Sequence, residues 1–399
     1  MIAGIPRETC PGERRVAMVP QDVARLTRLG LDVLVERGAG FDAGFEDREY
    51  EEKGAQLASR EEVFSRADIV LQVRAAGANP ERYEQDLALY RRGQAVVAQA
   101  DPLGSPEPVR RLAEAGVTAF ALELIPRITR AQSMDVLSSQ ASIAGYKAVL
   151  IAAMELPRMF PMLNTAAGTI KPAKVLVVGA GVAGLQAIAT ARRLGSIVFG
   201  YDIRPAVREQ IESLGAKFVE IDLGVQDTET EGGYAKEVGE EVLRRQREAL
   251  ARQIEQSDVV ITTAAIPGKK APRIVTAEMV TSMAPGSVIV DLAAERGGNC
   301  ELTRAGETVV ENGVRIVGPV NVPATVPYHA SQMYARNVAT FTSSIVKDGA
   351  LVIDTDDEVV RETLVTRDGE VVSPRVRELL GLPPLPEPAA PAGGEEGAP

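Results

Sequence analysis

Residues 174–202, KVLVVGAGVAGLQAIATARRLGSIVFGYD, constrain the fold of this chain more than any other stretch. An apolar run, 175–178, is followed by Gly179, Gly181 and Gly184 at GxGxxG spacing. Gly179 permits a tight turn out of a strand, Gly181 lets backbone approach a pyrophosphate, and Gly184 lets the next helix pack close to the sheet. That helix, opening near Val182, aims its N–H groups and positive dipole end at the pyrophosphate. A second strand at 197–201 ends at Asp202, eighteen residues past Gly184. A carboxylate there accepts hydrogen bonds from an adenosine ribose, which favours NAD(H) over NADP(H). Two other readings compete. Plain turn punctuation lacks the strand, helix and acidic residue in register, and a membrane span is shorter than required, holds three glycines and ends in Arg192-Arg193.

The chain's 399 residues suffice for two domains. A net charge of −11 argues against a nucleic-acid surface, and two distant cysteines argue against a disulfide framework or a clustered metal site. The N-terminus carries charge too early for a signal peptide, and no apolar run is expected to span a bilayer, so a soluble cytosolic chain is expected. There is one histidine, His329, although a dehydrogenase acting on its own substrate usually needs a general acid/base near neutral pH.

The N-terminal third alternates strands, at 2–5, 33–35, 69–73, 95–99 and 118–121, with helices at 21–29, 47–52, 61–66 and 106–115. Gly30, Gly54 and Gly116 each follow a helix where a C-cap glycine belongs. This alternation predicts a parallel α/β sheet. A long helical pattern over 132–162, which Pro157 should kink or end, is expected to link it to a second sheet. Strands at 174–178, 197–201, 218–219, 259–261, 288–291 and 315–317 build that sheet. The fold class is therefore α/β, two Rossmann-like doubly wound parallel-sheet domains with a cleft between them. Residues 1–131 with 328–382 form the first domain, 132–327 the nucleotide domain, and 383–399 a disordered tail. The acidic stretch 222–241, with adjacent glycines and Tyr234, reads as a mobile lid or a solvated excursion. The helical segment 330–346 returns to the first domain, and Arg367-Asp368-Gly369 marks a hairpin.

The stretch PRITRAQSMDVLSS (126–139) falls where the first domain meets the linker helix, hence in the cleft, where ligand sites are common. Singly, Ser133 or Asp135 could cap the helix and Arg127 could be a surface charge. Together with GAGVAGLQAIATARRLG, GYDIR (200–204), GGYAKE (232–237), ITTAAIPGK (261–269) and DLAAERGGNC (291–300), the stretch resembles the NAD(H)-binding alpha subunit, domain I, of the proton-translocating NAD(P) transhydrogenase family. The resemblance runs over essentially all the chain before the tail.

The resemblance implies that Arg127 and Gln132 lie near the phosphates and an incoming second nucleotide, with Asp135 and Ser138 on the carboxamide. It implies that Val182, where the pyrophosphate helix opens, binds the cofactor, that Asp202 takes the adenosine ribose with Ile203 and Arg204 also cofactor-binding, and that Ala265 lines the adenine side. Tyr234 would tip a loop closing over NAD(H), with Gly233 contacting the cofactor and Gln246 on its supporting helix. Further implications are an NADP(H)-binding beta subunit, a membrane-spanning proton-channel subunit, pairing as a homodimer, and a peripheral place on the cytoplasmic face of the inner membrane. Hydride transfer between nicotinamides needs no general acid, and one fingerprint supplies one nucleotide. The runner-up is an alanine dehydrogenase-like enzyme, whose pattern GIPRE (4–8) and RRVA (14–17) match. That enzyme needs a lysine and a histidine. Arg74 and Asp101 stand at the matching positions, arginine cannot act as the lysine does, and His329, in a Pro-Tyr-His loop after the nucleotide domain, reads as a surface residue. A third reading, an NAD-sensing scaffold without chemistry, has no use for the 127–138 cluster.

Overall fold

The structure, a computed structural model, describes residues 1–220, 240–266 and 268–385. Gly233 and Tyr234, the side chain of Gln246, and residues 386–399 of the expected tail lie outside the described residues. Six strands open the chain: β1 (Ile2–Ile5), β2 (Asp32–Glu36), β3 (Gln56–Ala58), β4 (Ile69–Arg74), β5 (Ala95–Gln99) and β6 (Thr118–Ala121). A short hairpin, β7 (Leu163–Thr165) and β8 (Gly168–Ile170), precedes β9 (Lys174–Val178), β10 (Ile197–Tyr201) and β11 (Lys217–Phe218). Then come β12 (Val259–Thr262), β13 (Val288–Asp291), β14 (Thr308–Glu311) and β15 (Val314–Val317). A second small hairpin, β16 (Val346–Lys347) and β17 (Ala350–Leu351), is followed by β18 (Leu364–Arg367) and β19 (Glu370–Val371).

The first sheet runs β19-β18-β6-β5-β4-β1-β2-β3 and the second β11-β10-β9-β12-β13-β15-β14. Within each, six strands take the doubly wound order 3-2-1-4-5-6 and are parallel, while β18 and β14 add antiparallel neighbours at one edge. The order reverses between β1 and β4 in the first sheet and between β9 and β12 in the second. Crevices at such points are where this architecture takes ligands.

The two-residue period of the strands divides each core into faces. Val175 and Val177 of β9 pack with Ala148, Val149 and Ala187, whereas Leu176 and Val178 pack with Leu250, Ile254 and Met279. In the first sheet, Ile69, Leu71 and Val73 meet Tyr334, Val338, Phe341 and Ile345 of the returning helix, Pro327–Ile345. These four helix residues are fully buried, and each such burial contributes about 1.5–3 kcal/mol. The chain therefore comes back to the first sheet because that face needs covering. Asp368 and Gly369, with φ +53° and +87°, turn the β18–β19 hairpin as expected.

Three expectations are corrected. The linker helix spans Val136–Glu155 and not 132–162. A 3-10 turn, Thr129–Met134, precedes it, and the chain leaves helical geometry at Leu156, ahead of Pro157. This helix also qualifies by length and composition to cross a membrane (20 residues, mean hydropathy 1.2), contrary to the expectation that no run would. In the fold it packs against the helix Val182–Arg193, the returning helix and β13. Finally, His329 is not in a loop but in the first turn of the returning helix, where it is exposed.

Candidate dinucleotide site

At the second sheet's reversal point the three glycines have different geometric reasons. Gly179 adopts φ +96°, and a Cβ there would sit 2.7 Å from Thr263 Oγ1. A Cβ on Gly184 would lie 1.8 Å from the Gly179 carbonyl oxygen, so only glycine lets the helix start so close to the turn. A Cβ on Gly181 would meet nothing within 4 Å: the turn presents open space there. The helix Val182–Arg193 opens on Gly181 with no side-chain cap, which leaves its first-turn N–H groups for an anion. Val182 is 39% exposed at this mouth. This cradle fits a dinucleotide's diphosphate.

Asp202, closing β10, is buried and holds the turn. Its Oδ2 accepts the Ala180 N–H at 2.7 Å, and Oδ1 accepts the Arg204 N–H at 2.9 Å. Arg204 also forks onto both oxygens through Nε and Nη2, each at 2.9 Å, with half-buried Ile203 between them. Across the crevice, Thr263 Oγ1 donates to the Gly179 carbonyl at 3.0 Å. Buried Asn299 takes the Ala264 N–H on Oδ1 at 3.0 Å and donates Nδ2 to the Ala264 carbonyl at 2.8 Å. These bonds fix the loop that carries exposed Ala265.

The 126–138 stretch makes the other half. Pro126, Arg127, Ile128, Gln132, Asp135 and Ser138 line one cavity of about 370 Å³. Asp135 is the N-cap of Val136–Glu155: Oδ1 accepts the Ser138 N–H at 2.9 Å and Oδ2 the Ser138 hydroxyl at 2.5 Å. Arg127 and Gln132 are exposed at the rim. Asn337 of the returning helix braces the loop, donating to the Ser133 carbonyl at 2.8 Å and accepting from Ser139 Oγ at 2.7 Å. The two halves are joined by one helix. Ten residues, about 15 Å, separate Asp135 from Gly145, where a Cβ would stand 2.1 Å from the Ala183 carbonyl oxygen. Gly145 thus seats the linker helix on the first turn of the dinucleotide helix.

Thr263, Asn299 and Asn337, which brace the candidate site, escaped sequence reasoning. Thr263 and Asn299 fall inside ITTAAIPGK and DLAAERGGNC, and a polar residue closing an apolar strand at the carboxyl edge of a doubly wound sheet is the signal that marks Thr263. Asn337 carries no such signal.

The first sheet's reversal point is filled with charge. Arg15 is buried: Nε donates to Glu13 Oε1 at 2.8 Å and Nη2 to Glu13 Oε2 at 2.6 Å, while Nη1 reaches Gln140 Oε1 at 2.9 Å. Arg74 and Asn321 also donate to Glu13 Oε2, at 3.2 and 3.0 Å. Burial works to raise the Glu13 pKa, but the Arg15 charge and hydrogen bonds outweigh it and hold the carboxyl at about 2. Glu8 takes the Val73 and Arg74 N–H groups, and burial, reinforced by Glu13's charge, pushes it up to about 8. Burial likewise pushes Glu123 up to about 7. Two pairs bridge the sheets with opposite polarity: Arg74 to Glu295 at 3.9 Å, and Arg296 to Asp101 at 2.6 Å.

These features define a two-sheet α/β dinucleotide-binding protein whose candidate site lies on the second sheet. The family models for alanine dehydrogenase/PNT match the chain as N-terminal domain over residues 4–144 and C-terminal domain over 148–374. The chain belongs to that family, in its NAD(P) transhydrogenase alpha-subunit branch. It is 49% identical over 378 residues to the first part of NAD(P) transhydrogenase subunit alpha of Rhodospirillum rubrum, covering 94% of this chain and 98% of that one. A solved transhydrogenase from Sinorhizobium meliloti superposes with TM-score 0.84 at 48% identity, covering 93% of this chain and all of that one. A solved L-alanine dehydrogenase follows at TM-score 0.79 and 27% identity, covering 96% and 99%.

Proposed function

We propose that the chain is the NAD(H)-binding subunit of a proton-translocating NAD(P) transhydrogenase. In this reading it holds NADH for direct hydride transfer to NADP+ on a beta subunit, and partner chains translocate the proton across the membrane. Bound NADH supplies the hydride. The first-turn amides after Gly181 take the diphosphate, Asp202 takes the adenosine ribose, and Ala265 lines the adenine. Asp135 and Ser138 orient the carboxamide, while rim-exposed Arg127 and Gln132 meet the second nucleotide. The subunit works as a homodimer, docked through its partners on the cytoplasmic face of the inner membrane. Residues 1–131 with 328–382 and residues 132–327 are its two domains. Gly233, Tyr234 and Gln246 complete the proposal as a loop over the cofactor and its support.

The observation that carries this reading is the single helix joining the 127–138 cavity to the glycine turn. It gives one site two ends, one for a nicotinamide and one for an adenosine. Against the alanine dehydrogenase alternative, Arg74 and Asp101 are committed to Glu13, Glu295 and Arg296, so neither stands ready to bind and protonate a keto acid.

Gln132→Asn tests the assignment by shortening the side chain one methylene while keeping the amide. With an NADP(H)-loaded beta-subunit partner, stopped-flow hydride transfer should slow by up to about a hundredfold, the cost of a misplacement of ~1 Å. NADH affinity of the isolated subunit should stay nearly intact, because the contact forms only in the reactive geometry. No change in either quantity would reduce Gln132 to a surface residue. Lost NADH affinity with a normal transfer rate would place it on the wrong nucleotide.

A further inference from the structure

We propose that Arg204 is a latent site for the 2′-phosphate of NADP(H), kept closed by Asp202, so that the pair and not the carboxylate alone sets nucleotide choice. The proposal rests on the NAD(H) reading above. A carboxylate offers about four lone-pair sites, and four donors already point at Asp202. Oδ1 receives the N–H and Nε of Arg204, while Oδ2 receives the Ala180 N–H and Arg204 Nη2, all within 2.9 Å. The fork is well shielded, with 13% of the Arg204 side chain and 7% of the Asp202 side chain exposed.

A ribose hydroxyl can gain an acceptor here only if one of these donors yields. Ala180 is buried backbone inside the glycine turn and cannot move away without dismantling it. The Arg204 guanidinium can, because it is a side chain. Once displaced it remains beside the ribose, and an arginine at this place in the fold is the group that accommodates a 2′-phosphate. Asp202 therefore acts twice: it repels a 2′-phosphate, and it occupies the guanidinium that would receive one.

Asp202→Asn separates these effects from folding, because its side-chain carbonyl still accepts the Ala180 N–H. Calorimetric titration of the full chain with NADH, NADPH and 2′,5′-ADP should show NADPH and 2′,5′-ADP binding about tenfold tighter or more, the scale of a charge-assisted hydrogen bond. Adding Arg204→Gln to that variant should abolish the gain. Arg204→Gln alone should widen the preference for NADH, since Asp202 then opposes the phosphate without its neutralising partner. The proposal is overturned if D202N binds NADPH no better than the parent, if the double variant keeps the gain, or if Arg204→Gln leaves the preference unchanged. Should D202N bind no nucleotide, the single Arg204 variant decides. Equal affinity of the parent chain for NADH and NADPH would instead refute the NAD(H) assignment beneath the proposal.

Discussion

At the reversal point of the second sheet, between β9 and β12, stand three glycines and an uncapped helix start. At the same topological point of the first sheet, between β1 and β4, stand Glu8, Glu13, Arg15 and Arg74, with both members of the Glu13–Arg15 pair buried. The strand order is the same, so topology alone does not make a nucleotide site. Residue type at the carboxyl ends of the central strands does. Where side chains are absent, backbone N–H groups face open space. Where carboxylates and guanidinium groups fill the crevice, they satisfy one another and leave it closed.

The largest effect is expected from breaking the closed crevice. Glu13→Gln removes the carboxylate paired with Arg15, which is 3% exposed, and takes from Arg74 an anionic partner at 3.2 Å. Unpairing a buried ion pair costs about 3–5 kcal/mol, so urea denaturation should show a loss of that size. The NADH affinity of the molecules still folded should change little, since the glycine turn lies on the other sheet. The parent carries a matching signature in acid. The Glu13 pKa is held down to about 2 from 4.5, so its stabilisation is complete above pH 4.5 and is lost as pH falls toward 2. A loss below about 1 kcal/mol would mean the crevice is not sealed by this pair.

The open crevice should respond in the reverse sense, and its two inner glycines should part company. Gly184→Ala drives a Cβ against the Gly179 carbonyl oxygen, a backbone atom. Overpacking of this kind costs about 1–3 kcal/mol, and it should appear as lowered thermal stability. Gly181→Ala meets no protein atom and has an ordinary φ of −75°. It should keep its melting temperature while NADH binds about tenfold weaker, equivalent to ~1.4 kcal/mol. Equal effects of the two substitutions on melting would show that Gly181 packs against protein, not ligand.

How much of this contrast was legible in the sequence follows from what each crevice is made of. The glycine turn announces itself because GxGxxG between an apolar run and an amphipathic helix is a local pattern. β9 and β10 fall where that pattern places them. The filled crevice is assembled from residues far apart in the chain: Asn321 lies 308 positions from Glu13, and Gln140 lies 125 from Arg15. No local period reports such a meeting: Glu8 and Arg15 enter the sequence reading only inside the pattern matches GIPRE and RRVA, and Glu13 falls between them. The edge strands β3 (QLA) and β14 (TVVE) escape the sequence reading because they mix polar with apolar residues, unlike the equally short but wholly apolar run 33–35. In the 126–138 stretch the cap reading of Asp135 holds, and the same side chain lies on the wall of the cavity. Its Oδ1 caps the helix while its place on the cavity wall comes from the same backbone.

The smallest effect is a change of slope, and it tests whether the closed crevice is closed at a cost. Glu8 sits just past β1 with Val73 and Arg74 donating backbone N–H groups to it at 2.6 and 3.1 Å. Burial, and then the charge of Glu13, raise its pKa from 4.5 to about 8 in spite of those bonds. The folded state therefore holds a proton that the unfolded chain gives up between pH 4.5 and 8. Stability on this account is full below pH 4.5 and is lost as pH rises through 8. Glu123 follows the same sign, its loss accumulating from pH 4.5 and complete near pH 7. Glu8→Gln is neutral throughout, so it removes only Glu8's share. Measured by urea denaturation between pH 5 and pH 9, the variant should gain on the parent by about 1.4 kcal/mol for each pH unit over which the parent's Glu8 stays protonated. At pH 5 it should match the parent or fall slightly below it, because an amide offers one acceptor oxygen to two N–H donors. Parallel pH profiles would mean that Glu8 stays charged in the fold and that the arginines of this crevice neutralise both carboxylates. Glu123→Gln, removing only a loss that ends near pH 7, would show that the readout resolves the two groups.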